Sequence, residues 1–206
     1  KVESFVKFGL NGYRFVLEPT VNGDFVFESE KLYFDGPQFG ADWIDLGSGH
    51  IESLLKETHL SKKYRALWKN DTAAYCYESI SSWKVFHFHD TSDTAGVKRQ
   101  GAVQDNQYLR PDASNLAAFL YRLAGETPDV YQLIRKTIQL AIPFFDDFVL
   151  KPRTLTTGEE LVNLLWRQKE SDYTLWPSQL SDGSIRFICL VTALMQPDPP
   201  STIIID

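Results

Sequence analysis

The stretch LSDGSIRFICLVTALMQPDPPSTIIID, from Leu180 to Asp206, constrains the fold of this chain more than any other segment. A helix with apolar residues on all sides must be buried, and the run from Ile185 to Leu194 has that pattern. Gln196-Pro197 ends the helix, and the β-branched run TIIID is typical of a central parallel strand. A buried helix that leads into such a strand is half of an α/β unit. The sequence therefore predicts an α/β fold with mixed α+β character.

Both ends of this stretch carry groups suited to binding phosphate or metal. The first N–H groups of a helix lack partners within it and its dipole is positive there, so an anion could approach the backbone at Ser181, Asp182 and Gly183. Taken alone, these residues favour a simple N-cap. Asp206 ends the predicted strand, where a carboxylate can hold the water shell of Mg²⁺ beside phosphates. The two features together favour a nucleotide site.

The N-terminal part, residues 1–50, is predicted to be an antiparallel β meander. Its apolar residues alternate, and Asn11-Gly12 and Asn22-Gly23 are hairpin-turn signals. Residues 36–49 are predicted to form a loop. A helical period then predicts a helix from Ile51 to Trp68, within which Ser61 could cap a second short helix.

A central strand and a helical lobe are predicted over residues 51–145. The strand is WKVFHFHD, residues 83–90, with its phenylalanines on one side and its histidines on the other. A long polar loop follows from Thr91 to Arg110. Asp112 or Ser114 could cap the next helix, which Gly125 would close.

A second helix, DVYQLIRKTIQLAI, is predicted between Pro128 and Pro143. Over residues 146–206, the segments DDFVLKP and DYTLWP are predicted to be extended. EELVNLLWRQ is also predicted to be a strand, although Leu164 and Leu165 suit a helix as well. The helix and final strand described above complete this part.

The segment from Leu180 to Asp206 resembles the signature helix and Walker B strand of ABC-type ATPases. It is most similar to the RecF, SMC and Old-nuclease group among the bacterial AAA-type ATPases. Ser181, Asp182 and Gly183 match the signature, with Asp182 at its first glycine and Ser184 at its last position. Upstream, WKVFHFHDTS, DNQYLRPDASNLAAFLYRL and IPFFDDFVL resemble the strand, loop and helical insertion of the same ATPases.

This resemblance implies a P-loop NTPase fold and a homodimer whose two heads enclose ATP and Mg²⁺. Ser181, Asp182 and Gly183 would contact ATP bound to the other head, whereas Asp206 would hold the Mg²⁺ water shell in its own head. The resemblance also implies a catalytic glutamate directly after Asp206 and a Q-loop glutamine, for which Gln100 and Gln104 are candidates.

The phosphate-binding loop of such ATPases contains a Gly-Lys pair. No Gly-Lys pair occurs in this chain, and in the family the loop lies N-terminal to the meander. We therefore expect residues 1–206 to be a partial ATPase domain, an internal fragment that neither binds nor hydrolyses ATP appreciably by itself. The catalytic glutamate would likewise lie outside it.

The resemblance implies DNA as a partner, in DNA repair, DNA metabolism or phage defence. The net charge of −6 argues against binding nucleic acid through the overall field of the chain. One basic stretch favours a solvated helix face instead: Lys62, Lys63, Arg65 and Lys69. The two cysteines, Cys76 and Cys189, have apolar or aromatic neighbours and predict reduced core thiols in a cytoplasmic protein. No apolar run approaches the roughly 18 residues of a membrane helix, so no membrane partner is expected.

Two other functions stay open. The first is a metal-dependent hydrolase that uses His87 and His89, because imidazoles two positions apart on a strand point the same way. Such a site needs further ligands from distant parts of the chain. The second is a non-catalytic interaction module that keeps an ATPase-like shape.

Overall fold

The computed structural model describes residues 1–37, 40–60 and 68–206, and within the last range it describes only the backbone of residues 68–70. The chain divides into two compact units, Lys1–Trp83 and Lys84–Asp206. Helices and antiparallel sheets occur together, which confirms the mixed α/β class. In the described ranges, no helix combines the length and the apolar character needed to span a bilayer.

The first unit contains a four-stranded antiparallel sheet in sequential order, as the meander prediction required. Its strands are β1 (Val2–Phe8), β2 (Asn11–Pro19), β3 (Phe25–Gly36) and β4 (Gly40–Gly47). β4 corrects the predicted loop over residues 36–49. Its apolar anchor is Ile44, which pairs with Leu32, and both side chains are buried.

The first hairpin turn lies two residues before the predicted position. Phe8 pairs with Asn11, so the turn residues are Gly9 and Leu10, and Asn11-Gly12 belongs to β2. Gly9 has a φ of +61°, which fits a turn with glycine at its first central position. The second signal is confirmed, because Gly23, with a φ of +88°, lies in the turn between β2 and β3.

Among the residues that the structure describes, two helices follow the sheet, α1 (Leu55–Leu60) and α2 (Trp68–Ser81). The predicted helix start at Ile51 is wrong, because residues 51–54 form irregular backbone. Some predictions fall outside the described residues, namely those on Ser61, Lys62, Lys63 and Arg65 and on the side chain of Lys69.

A buried carboxylate links the sheet to the segment before α1. Glu30 on β3 has no exposed surface, and its Oε1 accepts hydrogen bonds from the Tyr13 hydroxyl and the Ser53 hydroxyl, each at 2.5 Å. Its Oε2 accepts from the backbone N–H of Leu54 at 3.0 Å and lies 2.7 Å from His50 Nε2. Glu30 therefore holds residues 50–54 against the sheet.

The second unit combines three helices with three small sheets. In chain order its elements are β5 (Lys84–Phe86), β6 (Gly101–Ala102), α3 (Leu116–Glu126), α4 (Pro128–Ala141), β7 (Phe145–Val149), β8 (Arg153–Thr154), β9 (Glu160–Val162), β10 (Leu165–Gln168), β11 (Thr174–Leu175), α5 (Asp182–Met195) and β12 (Ile203–Ile205). β5 and β12 pair in parallel, and the antiparallel sheets have the orders β11-β10-β7 and β6-β9-β8.

The predicted strand over residues 83–90 is shorter than expected. β5 covers only Lys84–Phe86, although Phe86 and Phe88 are buried and the two histidines are exposed, as the alternation predicted. The predicted strand in EELVNLLWRQ is interrupted, because β9 and β10 belong to different sheets.

The predicted cap of α3 is wrong. Asn115 occupies the N-cap position, while its buried side chain accepts from the Arg110 N–H and donates to the carbonyls of Asp105 and Tyr108. Gly125 lies inside α3, which continues to Glu126. α4 begins one residue earlier than predicted, with Pro128 in its first turn, and ends before Pro143 as expected.

Two predictions about burial in the C-terminal stretch are also corrected. β12 pairs with β5 alone among the described strands, and Ile204 and Ile205 are 42% and 50% exposed, so β12 is not a buried central strand here. α5 is not buried on all sides, because Leu194 is 53% exposed and Phe187 and Leu190 are only partly buried. One side of α5 is therefore only partly covered within the described residues.

Candidate functional site

The parallel pairing of β5 and β12 brings two polar side chains together. Phe86 pairs with Ile205, and the backbone N–H of Asp206 donates to the carbonyl of Phe86 at 3.1 Å. The residues after the pair, His87 and Asp206, therefore lie side by side at the carboxyl ends of both strands. His87 Nδ1 is 3.1 Å from Asp206 Oδ2. The carboxylate thus stands at a strand end, as the sequence predicted, with an imidazole beside it.

A cavity of about 350 Å³ lies at this end of the two strands. Its walls are largely apolar, with three polar side chains among them, and its lining consists of Phe88, His89, Arg186, Phe187, Leu190, Ile205 and Asp206. The partly covered side of α5 supplies part of this wall, through Phe187 and Leu190. Ser181, Asp182 and Gly183 are not among the residues that line this cavity.

Arg186 connects α5 to the segment after β5. Its Nη2 donates to the carbonyl oxygen of His89 at 2.7 Å. Sequence reasoning missed this residue, although a signal was present, because Arg186 is the only basic residue in α5. A basic residue on an otherwise apolar helix indicates a specific polar partner.

The N-terminus of α5 begins at an N-cap, the simpler of the two predicted uses. Ser181 Oγ accepts the backbone N–H of Ser184 at 3.1 Å and lies 2.8 Å from the Ser184 hydroxyl. The cap does not close the site, however. A methyl group built on Gly183 would meet no atom nearer than Ser181 Oγ at 4.0 Å. The Cα of Gly183 is therefore open on the side that a Cβ would occupy.

A lysine in the loop after β5 also reaches this helix start. The side chain of Lys98 is only 8% exposed, and its Nζ lies 3.7 Å from Asp182 Oδ1 and 3.8 Å from Asp93 Oδ1. Lys98 was not singled out by sequence reasoning, because nothing in its local sequence indicates a partner in α5. Its ammonium offsets the negative charge that Asp182 brings to the helix N-terminus.

The two glutamine candidates for a Q-loop both lie on the loop between β5 and α3, and both are exposed. Gln104 lines a separate cavity of about 430 Å³ that also contains Lys84, Val85 and Phe86. Neither Gln100 nor Gln104 lines the cavity at Asp206.

The histidine pair does not by itself complete a metal site. The rings of His87 and His89 are 6.4 Å apart between centroids and nearly perpendicular. Asp90 is held elsewhere, since its Oδ1 accepts from both the hydroxyl and the backbone N–H of Ser92, and these bonds lower the pKa of its carboxyl group. Across the described residues, no group of three or more His, Cys, Asp or Glu side chains is arranged to hold a metal ion.

The two cysteines are free and buried, one in each unit. Burial raises the pKa of both thiols, Cys76 and Cys189, to about 12. Both are therefore protonated at neutral pH, which confirms their prediction as core thiols.

The chain matches no family model, no curated protein and no solved structure.

Proposed function

We propose that this chain is part of an ABC-type ATPase of the RecF/SMC/Old-like group, in which two heads of a homodimer bind and hydrolyse ATP with Mg²⁺. The observation that carries the proposal is the position of Asp206 at the carboxyl end of a parallel strand, reached directly from α5, whose N-terminus is capped and open at Gly183. The resemblance of the same residues to a signature and a Walker B strand supports it. The proposal places the protein in the cytoplasm, with DNA as its partner.

In this proposal the two ends of the C-terminal stretch bind different ATP molecules. Asp206 accepts hydrogen bonds from the water shell of Mg²⁺ in its own head, while Ser181 and Gly183 offer a hydroxyl and backbone N–H groups to the phosphates of ATP on the second head. Bound Mg²⁺ supplies neutralisation of the charge that develops on the phosphates.

Complementation between two inactive variants tests the proposal in the full-length gene product. Asp206→Asn removes the metal-facing charge, and Gly183→Asp places a carboxylate where a phosphate would approach. The second change should fold, because the site has room and an acidic residue suits the first turn of a helix. Each variant alone should lose Mg²⁺-dependent ATP hydrolysis.

An equal mixture of the two variants should regain activity in mixed dimers. Each mixed dimer has one intact site, so roughly a quarter of the native number of sites should be active if subunits exchange freely. If the native protein shows no Mg²⁺-dependent ATP hydrolysis, the proposed function is wrong. If the mixture does not regain hydrolysis although differently tagged subunits are shown to exchange, then Asp206 and Gly183 do not act on ATP molecules of different heads.

A metal-dependent hydrolase is the second candidate, favoured by the proximity of Asp206 to His87. Zinc titration of the native chain, His87→Ala and His89→Ala separates it from the ATPase. Stoichiometric zinc binding that both substitutions abolish would favour the hydrolase.

A further inference from the structure

The pair formed by His87 and Asp206 has a geometry that bears on the metal-binding role proposed for Asp206. A carboxylate can only accept hydrogen bonds, so the contact of 3.1 Å requires His87 Nδ1 to carry the hydrogen. Both partners have anchored backbones. The N–H of His87 donates to the Pro111 carbonyl at 2.8 Å, and that of Asp206 donates to the Phe86 carbonyl at 3.1 Å. What remains adjustable is the rotation of the two side chains.

We propose that His87 is a positioning residue for Asp206: its Nδ1–H holds Oδ2 and leaves Oδ1 to accept from a Mg²⁺-bound water. The inference rests on the proposed ATPase function. Within the described part of the chain, this is the one hydrogen bond made to the Asp206 carboxylate, whose side chain is 74% exposed. Without it, no hydrogen bond within the described residues would fix the orientation of the carboxylate.

Restricting that rotation matters because of the metal. Mg²⁺ requires near-ideal octahedral geometry and keeps several of its waters, so a carboxylate that serves it through water must be well oriented. Groups that orient metal-binding side chains typically change metal affinity or activity by about 10- to 100-fold when they are removed. We expect a loss in this range when the imidazole is removed.

His89 provides the matched control for His87. It follows two positions later, is also exposed and lines the Asp206 cavity. Its ring makes no hydrogen bond to Asp206, and its contact with α5 uses the backbone carbonyl, which accepts from Arg186. A substitution at His89 removes an imidazole from the same cavity while keeping that backbone contact.

The experiment compares His87→Ala, His87→Asn and His89→Ala in the full-length gene product. Asparagine retains an N–H donor near the position of Nδ1, so it should preserve the contact with Asp206. Two quantities are measured: Mn²⁺ affinity by electron paramagnetic resonance in the presence of ATP, and the Mg²⁺ concentration that gives half-maximal hydrolysis. Thermal denaturation checks that each variant is folded.

His87→Ala should weaken Mn²⁺ binding and raise the Mg²⁺ requirement by about 10- to 100-fold, with a smaller change in kcat at saturating Mg²⁺. His87→Asn should recover most of the affinity, and His89→Ala should weaken Mn²⁺ binding less than His87→Ala does. Native affinity in His87→Ala, no recovery in His87→Asn, or an equal loss in His89→Ala would each overturn the positioning role. If the native protein itself neither hydrolyses ATP nor binds Mn²⁺ with ATP, the proposed function fails first, and the inference fails with it.

Discussion

Lys98 Nζ lies 3.7 Å from Oδ1 of Asp182, the first residue of α5. The lysine side chain is almost entirely buried, whereas that of Asp182 is largely exposed. The loop after β5 is therefore joined to the start of α5 by a cation whose stem is covered by protein and whose charge meets a solvated carboxylate.

Lys98→Met and Lys98→Ala should separate the packing of this side chain from its charge. Methionine keeps most of the buried stem and removes only an ion pair with exposed partners, which contributes little to stability. Alanine also removes the stem. The free energy of unfolding, measured by denaturant titration, should therefore fall more for Lys98→Ala than for Lys98→Met.

Salt supplies the control for that comparison. The attraction between Lys98 and Asp182 should weaken as ionic strength rises, because the carboxylate is solvated. The stability difference between native and Lys98→Met should shrink in high salt, while the effect of losing the stem should persist. Equal effects of both substitutions at all salt concentrations would show that the stem contributes nothing.

Glu30→Gln should destabilise the first unit strongly. The substitution removes the carboxylate charge and one of the two acceptor oxygens that contact the Tyr13 hydroxyl, the Ser53 hydroxyl and the Leu54 N–H, in a site with no exposure to water. A buried group that loses its partners costs about 1–3 kcal/mol, and a broken buried ionic network about 3–5 kcal/mol, so we expect a loss of at least about 2 kcal/mol. Urea unfolding followed by circular dichroism measures it.

Glu28→Gln is the matched surface substitution on the same strand. The Glu28 side chain is 41% exposed and its ionic partner is Lys1, so stability should stay within about 0.5 kcal/mol of native. Tyr13→Phe removes one hydrogen bond to Glu30 and should fall between the two. A Glu30→Gln chain as stable as Glu28→Gln would contradict the role assigned to the buried carboxylate.

Gly96→Ala and Gly183→Ala should change stability in opposite directions. A Cβ on Gly96 would lie 2.6 Å from Ser114 Cβ and 3.2 Å from its Cα, so the loop or α3 must shift. Overpacking of this kind costs about 1–3 kcal/mol. At Gly183 the nearest atom is 4.0 Å away, and alanine favours a helix over glycine by up to about 1 kcal/mol. Melting temperatures of the two variants test the difference in sign.

The two thiols should be unreactive in the folded chain and should report on different units. Burial raises the pKa of Cys76 and of Cys189 from the ordinary 9.0 to about 12, so almost no thiolate forms near pH 8. A disulfide reagent should label neither thiol rapidly without denaturant. Labelling of Cys76 then measures opening of the first unit, and labelling of Cys189 measures opening of the second.

The same thiols should lower stability at alkaline pH. Because the folded pKa lies above the unfolded one, the unfolded chain loses its protons first as the pH rises. The contribution of the two protonated thiols to the free energy of unfolding is complete below about pH 9. It is lost progressively as the pH rises to about 12. Cys189→Ala should show a weaker decline than the native chain across that window, and a decline of equal slope would count against a raised pKa at Cys189.

Some elements of the fold are predictable from local pattern and others depend on distant contacts. The alternating strands and the Asn22-Gly23 turn follow from local rules, and so do α3 and α4. α2 was missed because its buried positions are the small residues Thr72, Ala73 and Cys76, which produce no large apolar stripe. β4 was missed because glycine and aspartate residues are interspersed among its apolar residues, of which Ile44 alone is fully buried.

In the candidate site, too, local pattern identified single residues but not their distant neighbours. Asp206 was found because it ends an apolar run, and the position of the α5 N-terminus followed from Ser181-Asp182-Gly183. The neighbour of Asp206 could not be found from spacing, because His87 is 119 positions away. One signal was available, since both segments were predicted to be strands with polar residues directly after their apolar runs. The contact between His87 and Asp206 follows only from the register of β5 and β12, which cannot be derived from the spacing of the residues.

The same register has a consequence for synthesis of the protein on the ribosome. β5 finds its hydrogen-bonding partner only in β12, among the described strands, and the intervening residues include all three helices of the second unit. Domains generally fold as units, and contacts of large sequence separation form slowly. The nascent chain must therefore carry β5 without its parallel partner until Ile205 has left the exit tunnel. Aggregation or chaperone binding should be greatest for nascent chains arrested just before that point.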